Sequence, residues 1–289
     1  MMDKARRLGK TNVEVHAVGL GAMPLSLQGR PDYEQAYSVI EAFVQAGGNF
    51  IDTANVYCID ESEIGHNEIL IEQTLSKLNL KNKVTVATKG GVERKGNNWV
   101  ANGKPEFLRQ SCEKSLIDLK TDSIFLYQLH APDPEIPLTD SVGELRKLLD
   151  EGKIQHIGLS NVNVEQSQMA LSIAEIMSIQ NRCSLFDQRS LENGVIKFCE
   201  EHDITFIAHS PVGGHFQHKQ LTDITLLKKI AKKYEASTYQ IAISWLLCKS
   251  ASLLPIPGAS KVNSITDSLQ AVEIDLRKED IQMLDKNNE

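Results

Sequence analysis

The stretch IFLYQLH, residues 124–130, carries the clearest information about the fold of this chain. It is apolar over most of its length, as expected for a strand that is covered on both faces, and it ends on a histidine. Strands covered on both faces belong to parallel sheets whose two sides are packed with helices. The stretch therefore predicts an α/β protein and draws attention to the polar residues at strand ends.

Seven more runs of this kind occur along the 289 residues, and helix-like segments separate them. The alternation predicts an α/β fold of the (β/α)8 TIM barrel type, with a single domain over residues 1–289. The segment RRLGKTNVEV before the first run predicts a short N-terminal β-hairpin that covers the barrel bottom. The other runs are VHAVGLGAM (15–23), NFIDT (49–53), VTVATK (84–89), QHIGLSN (155–161), IMSIQN (176–181), ITFIAHS (204–210) and LLPIPGAS (253–260).

A doubly wound nucleotide-binding sheet is the alternative architecture. Its dinucleotide version usually carries a G-x-G-x-x-G motif early in the chain. Here GLGAMP has Gly19 and Gly21 but no third glycine, so the barrel is the preferred prediction.

The segments between the runs carry helix signals. PEFLRQSCEKSLIDL opens with Pro105, a residue favoured in the first helical turn, and Ser141 three positions before Glu144 predicts a capping box. In DYEQAYSVIEAFVQAGG the apolar residues share one helical face, namely Tyr33, Ala36, Val39, Ile40 and Phe43.

The composition argues against several classes of partner. A net charge of -7 and a pI of about 5.7 disfavour nucleic acids and anionic membrane surfaces. No apolar run is long enough to span a bilayer, and the first residues lack the apolar segment of a signal peptide. The five cysteines are scattered without a C-x-x-C pair, which predicts reduced thiols, a cytoplasmic location and no metal site. We interpret His215 and His218 as part of a solvated loop.

Polar residues follow most of the apolar runs. Asp52, Lys89 and His130 end the second, third and fourth runs, and a lysine in such a place requires a partner such as Asp52. In barrel enzymes the carboxyl ends of the strands converge on the active site. Any single polar strand end is explained equally well as a simple stop signal, but the set predicts a shared polar site.

Tyr57 completes a chemical argument. Its hydroxyl keeps a proton at neutral pH and can donate it to a developing alkoxide, while the ammonium of Lys89 stabilises the phenolate. Asp52 would hold Lys89 in place, and His130 would donate a hydrogen bond to a substrate oxygen. These groups suit carbonyl reduction, in which hydride reaches carbon and a proton reaches oxygen.

The chain resembles the aldo-keto reductase family over nearly its whole length, with a bacterial-type short C-terminal tail. The resemblance implies a metal-free barrel that reduces aldehydes and ketones, with Tyr57 as proton donor, Asp52 and Lys89 as the pair that tunes it, and His130 as the residue that orients the carbonyl. It rests on GLGAM, FIDTANVY, ATKGG, LYQLHAPDP, GKIQHIGLSN, IQNRCSLFDQRS, AHSPVGG and PIPGASK.

The resemblance also implies a site for NADPH or NADP+, with weaker use of NADH. We expect its residues at the first strand end, at the ends of strands five to seven, and after the last strand. They are Gly21, Ala22, Met23, Ser160, Asn161, Gln180, His209, Ser210, Pro211, Val212, Gly213, Gly258, Ser260, Lys261, Ser264 and Ser268.

Three positions depart from the family pattern. His209 stands where a tyrosine usually stacks on the nicotinamide, Ser264 replaces an arginine, and Asp267–Ser268 replace a Glu-Asn pair. These changes predict a reduced preference for NADPH over NADH. Because the C-terminal tail is short, we expect an open substrate pocket that Trp99 helps to wall; a surface tryptophan is the alternative interpretation.

Two other functions remain open at this point. A regulatory subunit that senses the nicotinamide cofactor with little turnover would retain the same four residues. A hydrolase on the same barrel is less favoured, because it would need two carboxylates or a metal. For the enzyme, the partner is a small carbonyl compound, with an aromatic aldehyde such as pyridoxal as one example, and the protein is expected to be a monomer.

Overall fold

The computed structural model describes residues 3–96 and 98–286. The segment with His215 and His218, expected to be a loop, is helical instead: His215 lies in the short helix Gly214–Gln217, and His218 begins a 3-10 helix, with its Nδ1 2.9 Å from the Gly214 carbonyl. The side chain of His215 lies outside the described residues. Helices, most of them packed around a central sheet, occupy the segments between the strands. They are α1 (Tyr33–Gln45), α2 (His66–Lys77), α3 (Pro105–Asp118), α4 (Leu138–Asp150), α5 (Val164–Leu171), α6 (Arg189–Glu192), α7 (Val195–Glu201), α8 (Gly214–Gln217), α9 (Thr225–Lys233), α10 (Thr238–Leu247), α11 (Val262–Leu269) and α12 (Lys278–Asp285).

The strands form one eight-stranded sheet and two hairpins. In the large sheet each strand pairs in parallel with the next, in the order β3, β4, β5, β8, β9, β10, β11 and β12. The bounds are β1 (Ala5–Arg7), β2 (Glu14–His16), β3 (Leu20–Gly21), β4 (Phe50–Asp52), β5 (Thr85–Gly90), β6 (Val92–Lys95), β7 (Asn98–Ala101), β8 (Ile124–Leu129), β9 (Ile154–Ser160), β10 (Ile176–Arg182), β11 (Thr205–His209) and β12 (Leu253–Ile256).

The sheet closes between its first and last strands. A parallel bridge joins Gly21 to Gly258, and the amide of Gly21 donates to the carbonyl of Pro257 at 3.0 Å. A Cβ at Gly21 would lie 2.8 Å from the carbonyl oxygen of Ile256, so the close approach at this seam requires glycine. The predicted (β/α)8 barrel is therefore confirmed.

The predicted N-terminal hairpin is also confirmed. β1 and β2 pair in antiparallel fashion, and Leu8 and Val15 are buried beneath the barrel. The Nε of Arg6 donates to the carbonyl of Leu253, at the first residue of β12, over 3.1 Å. Because this contact lies at the amino end of a strand, the hairpin covers the end of the barrel opposite the polar strand ends.

Two local predictions were wrong. The first apolar run is not one strand, since β2 of the hairpin and β3 of the barrel share it. The capping box at Ser141 and Glu144 is absent, because α4 begins after Pro137 and the Ser141 hydroxyl donates to the carbonyl of Gly103 at 2.7 Å. Proline fixes a backbone angle compatible with helix entry, so the helix starts one turn earlier than the serine indicated.

The helix signals were otherwise sound. α3 begins at Pro105, as predicted. In α1 the residues Ala36, Val39, Ile40 and Phe43 are buried, whereas Tyr33 is 39% exposed at the start of the helix. Among the described residues, no helix is both long and apolar enough to cross a lipid bilayer.

Candidate active site

The ammonium of Lys89 is the centre of the polar cluster at the carboxyl ends of the strands. β5 carries it beside β4, because the two strands pair in parallel with Asp52 opposite Ala87. Its Nζ donates to Asp52 Oδ2 at 2.5 Å, to the Thr53 carbonyl at 2.8 Å and to the Tyr57 hydroxyl at 3.0 Å. An ammonium has three donors, and each one has an acceptor here.

The carboxylate of Asp52 is held from both sides. Opposite the Lys89 contact, its Oδ1 accepts hydrogen bonds from Gln128 Nε2 at 3.1 Å and from Gln180 Nε2 at 2.7 Å. Asp52 and Lys89 are 2% and 0% exposed, respectively. A buried ion pair is tolerable only when its remaining hydrogen-bonding positions are filled, and the two amides fill them.

The Tyr57 hydroxyl sits in a setting that keeps its proton. Burial raises the pKa of Tyr57, and the charge of Lys89 with its hydrogen bond opposes that effect only in part. Burial lowers the pKa of Lys89, but Asp52 and Tyr57 raise it further, so the net shift is upward. At neutral pH the pair is therefore a phenol beside an ammonium.

His130 faces the same space as a neutral ring. Burial, reinforced by the charge of Lys89, lowers its pKa well below the usual range. Its Nδ1 is buried and has no hydrogen-bond partner among the described residues. A neutral imidazole has one N–H donor and one acceptor, so His130 can offer a hydrogen bond without carrying charge.

The hairpin of β6 and β7 brings an aromatic wall to the cluster. The ring of Trp99 stacks on Tyr57 with centroids 5.6 Å apart, and its edge meets His130 at 5.7 Å. Arg94 also lies over the indole, with its Cζ 5.6 Å from the ring centroid, and donates to the carbonyl of Ile59. Trp99 is still 38% exposed, so part of the indole remains open to solvent.

Asp52, Tyr57, Lys89 and His130 form a tetrad, and three residues beyond it keep unused hydrogen-bonding atoms nearby. Asn161 Nδ2 donates to the His130 carbonyl at 3.0 Å and to Ser160 Oγ at 3.1 Å, and its backbone adopts a left-handed φ of 60°. No described residue accepts from the Ser160 hydroxyl or donates to the side-chain oxygens of Asn161 and Gln180. A carboxamide offers both donors and an acceptor, and these atoms complement it.

The segment after β11 forms a tight turn. Ser210 has a left-handed φ of 54°, Gly213 has a φ of 93°, and the Gly213 amide donates to the Ser210 carbonyl at 2.9 Å. A Cβ at Gly213 would lie 2.9 Å from the ring of Phe186. Burial, with the charges of Arg182 and Lys89, lowers the pKa of His209 to about 3, so this ring is uncharged.

The segment after β12 borders a separate open cavity. The cavity has a volume of about 520 Å³, and its wall includes Lys261 at the start of α11 and Gln35 of α1. Lys261 is exposed and makes no ion pair with a described residue. Ser268, by contrast, is buried, and its hydroxyl donates to the Ser264 carbonyl at 2.9 Å within the helix.

Three further predicted positions, Ala22, Met23 and Gly258, lie near the barrel seam, while Pro211 and Val212 belong to the turn after β11. Ala22 accepts a hydrogen bond from Asn67 Nδ2 at 2.9 Å, and Met23 packs against the apolar group around Tyr57. At Gly258 a Cβ would come within 2.7 Å of Pro24. In the described ranges 3–96 and 98–286, no group of three or more His, Cys, Asp or Glu side chains is arranged to hold a metal ion.

Sequence reasoning missed Gln128. It precedes His130 by two residues, and alternate residues of a strand share one side, so the pattern placed it beside the cluster. It was passed over because an amide within an apolar run carries no charge to mark it.

Comparison with known proteins agrees with this geometry. The sequence model of the Aldo/keto reductase family matches residues 17–289. An uncharacterized oxidoreductase of Schizosaccharomyces pombe is 34% identical, with 94% of this chain and 86% of that protein covered. A probable aldo-keto reductase of Glycine max is 31% identical over 96% of this chain and 86% of its own length.

One solved structure extends the likeness to the fold. An aldo-keto reductase of Klebsiella pneumoniae, crystallised in complex with NADPH, superposes with a TM-score of 0.83 at 24% identity and covers 100% of this chain and 96% of that one. With a family match over nearly the whole sequence, relatives above 30% identity and a closed parallel barrel, this chain belongs to the aldo/keto reductase family.

Proposed function

We propose that this protein reduces an aldehyde or ketone to the alcohol with NADPH, and that it uses NADH less well. One observation carries the proposal: the Lys89 ammonium donates hydrogen bonds both to Asp52 and to the Tyr57 hydroxyl, and the His130 ring lies edge-on to the Tyr57 ring. This arrangement provides a proton donor, a charge to stabilise the phenolate it leaves, and a neutral hydrogen-bond donor.

The chain offers suitable groups for a nicotinamide dinucleotide. Ser160, Asn161 and Gln180 would hold the carboxamide, since their free atoms supply one donor and two acceptors beside the tetrad. The turn from Ser210 to Gly213 would hold the diphosphate, since glycine there lets the backbone approach closely. Lys261 at the edge of the open cavity after β12 would hold the adenosine phosphate. When bound in its reduced form, the dinucleotide supplies the hydride.

The protein's own residues would manage the proton and the oxygen. Tyr57 holds a proton on its hydroxyl and delivers it to the substrate oxygen as negative charge develops there. Lys89 stabilises the phenolate that remains, and Asp52 keeps the ammonium directed at it. His130 donates a hydrogen bond that orients the carbonyl while remaining uncharged.

Trp99 supports a preference for flat, apolar carbonyl compounds. Its ring and those of Tyr57 and His130 lie within 5.8 Å of one another, centroid to centroid. Aromatic rings gain from offset stacking and edge contacts with other rings. We therefore place aromatic aldehydes among the first compounds to test.

The test is the oxidation of NADPH, followed by its absorbance, with a panel of aromatic and aliphatic aldehydes. We expect turnover by the parent protein and a loss of about 100-fold or more in Tyr57→Phe, since general acid catalysis contributes about 10²–10⁴-fold. The variant should still bind NADPH, because the ring is kept. Tight NADPH binding with no turnover on any carbonyl would reject the proposal and favour a cofactor-sensing subunit.

A further inference from the structure

The side chain of Gln128 is held at both ends by polar contacts inside the barrel. It lies on β8, is fully buried, and donates from Nε2 to Asp52 Oδ1 at 3.1 Å. Its Oε1 in turn lies 3.3 Å from Gln180 Nε2 and 3.5 Å from Ser178 Oγ. Both ends of the amide are thus held across the barrel interior, by Asp52 of β4 and by Ser178 and Gln180 of β10, each strand two places from β8 in the sheet.

A glycine makes the space for this side chain. On β9 a Cβ at Gly158 would lie 2.6 Å from Gln128 Cγ and 2.4 Å from Ser178 Oγ. Distances below 3.0 Å are not tolerated by real Cβ atoms, so a larger residue would displace the amide. The barrel interior therefore accommodates a polar side chain where an apolar one would pack more simply.

The two carboxylate oxygens of Asp52 bind different groups. Oδ2 receives the Lys89 ammonium, and Oδ1 receives the two amides of Gln128 and Gln180. Hydrogen bonds to Oδ1 draw negative charge to that side of the carboxylate and fix its rotation. In a buried setting such effects are stronger than in water, because little solvent screens them.

We propose that Gln128 is a positioning residue. Its amide, with that of Gln180, holds one oxygen of Asp52 while Lys89 holds the other, and this division of the carboxylate charge sets the acidity of the Tyr57 hydroxyl. Without Gln128, more of the carboxylate charge would face Lys89 and draw the ammonium away from Tyr57. The phenolate would then lose part of its stabilisation, so the pKa of Tyr57 would rise. The catalytic consequence rests on the proposed function, but the ionisation of Tyr57 exists without turnover.

Gln180 is a useful contrast, because it also donates to Asp52. Its remaining oxygen lies among the groups proposed to hold the cofactor carboxamide. Gln128 has no such second role, since both of its ends are used within the barrel. Replacing Gln128 should therefore change the proton donor while leaving cofactor affinity as it is, and replacing Gln180 should change both.

The experiment places 3,5-difluorotyrosine at position 57 and follows its ionisation by ¹⁹F NMR in the full chain without substrate. The fluorine atoms lower the phenol pKa into the range where the protein stays folded. Gln128→Met keeps the length of the side chain and removes the amide. We expect the midpoint to move up by about one pH unit, the low end of the effect of a nearby opposite charge, because the Lys89 ammonium is weakened as a partner of Tyr57 and not removed.

Ser178→Ala is the matched control, because Ser178 contacts Gln128 without contacting Asp52; its midpoint should equal that of the parent. Gln128→Leu serves if the methionine variant does not fold, as judged by circular dichroism. An unchanged midpoint in a folded Gln128 variant would overturn the proposal, and so would a parallel loss of NADPH affinity measured by fluorescence titration.

The proposal and the proposed function fail in different ways. A shifted midpoint in a protein that reduces no carbonyl would leave the positioning role standing and reject the enzyme. Carbonyl reduction with a midpoint unaffected by Gln128→Met would support the enzyme and reject the positioning role. If both hold, the alkaline limb of kcat should move with the NMR midpoint.

Discussion

The hydroxyl of Tyr57 and the ammonium of Lys89 are joined by a hydrogen bond of 3.0 Å inside the barrel mouth. The two residues are 32 positions apart in sequence, and the parallel pairing of β4 with β5 brings them together. Because Lys89 also binds Asp52 and the Thr53 carbonyl, the phenol is the one acceptor left for its third donor among the described residues. The lysine therefore acts on Tyr57 in a fixed direction.

Replacing Lys89 with methionine should abolish most carbonyl reduction. The charge and hydrogen bond of Lys89 are what lower the pKa of Tyr57 against the effect of burial, so their loss makes the phenol a poorer acid. Reduction requires the protonated phenol, so in the parent it should persist at neutral pH and fall as pH rises through the raised pKa of Tyr57. We expect Lys89→Met to be about 100-fold slower or more across the pH–rate profile.

The control for this change is Lys83→Met, which alters an exposed lysine just before the same strand. Its profile should match that of the parent. Lys89→Met also leaves Asp52 without its ion-pair partner, so a lower unfolding temperature is expected as well. A folded variant with the parent's pH–rate profile would show that the two groups are not coupled.

Removing the indole of Trp99 should weaken the binding of aromatic substrates. Aromatic pairs contribute about 0.5–1.5 kcal/mol beyond area burial, so Trp99→Ala should raise KM for an aromatic aldehyde by roughly two- to twelvefold. Steady-state kinetics with matched aromatic and aliphatic aldehydes provides the measurement. Trp99→Phe should recover part of the loss, and Asn98→Ala on the same hairpin should change nothing. An equal effect on both substrate classes would contradict a stacking role.

Removing the side chain of Lys261 should reduce the preference for NADPH. One charge-assisted contact is worth about 1.5–3 kcal/mol, so Lys261→Ala should weaken NADPH binding by roughly ten- to a hundredfold. NADH lacks the 2′-phosphate and should bind nearly as before. Fluorescence titration of both cofactors into parent and variant decides this, with Lys278→Ala as an exposed-lysine control. If both cofactors lose affinity equally, Lys261 does not read the phosphate.

A buried carboxyl outside the site should make stability depend on pH. Glu68 of α2 accepts from the Thr88 hydroxyl at 2.6 Å, while its Oε2 has no hydrogen-bond partner among the described residues. Burial raises the pKa of Glu68 from 4.5 to about 7, and the hydroxyls of Thr88 and of nearby Ser115 oppose this only in part; among the nearby charges, Asp118 raises the pKa and Lys114 lowers it. The folded state thus binds this proton more tightly than the unfolded state does.

This difference in proton affinity sets the direction in which stability changes with pH. The contribution of Glu68 to stability is complete below about pH 4.5 and is lost as pH rises through about 7. Glu68→Gln, which is neutral at every pH, should therefore be more stable than the parent at pH 8, by at most about 3 kcal/mol, and about equal at pH 5. Urea unfolding at the two pH values measures this.

Glu72 gives a control of opposite sign on the same helix. Burial raises its pKa, but the ion pairs with Lys81 at 2.7 Å and Lys120 at 3.0 Å prevail and lower it to about 2. Glu72→Gln should accordingly destabilise the protein at pH 8. Should Glu68→Gln also destabilise at pH 8, the carboxyl is better satisfied than the structure indicates.

The sequence was informative where a pattern repeats and weaker where one side chain decides. Buried strands ending in polar residues predicted the barrel and brought Asp52, Lys89 and His130 to one end of it. The start of α4 was mispredicted, because the local sequence marks Ser141 as a helix cap. In the folded chain its hydroxyl instead donates to the Gly103 carbonyl. Gln128 was missed because its role depends on a partner 76 residues away, Asp52, which no local pattern reveals.

The three hydrogen bonds of Lys89 also bear on whether this lysine can react with an aldehyde bound beside it. An amine next to an aldehyde ordinarily condenses with it to an imine, but only when the amine has lost its proton. Burial lowers the pKa of Lys89, but Asp52 and Tyr57 overcome that effect and raise it, and three acceptors hold the three N–H groups of the ammonium. The nitrogen therefore stays protonated and has no lone pair with which to attack a carbonyl. Borohydride added with an aldehyde should therefore trap no adduct on Lys89, and the barrel can hold a reactive carbonyl beside a primary amine without being inactivated by it.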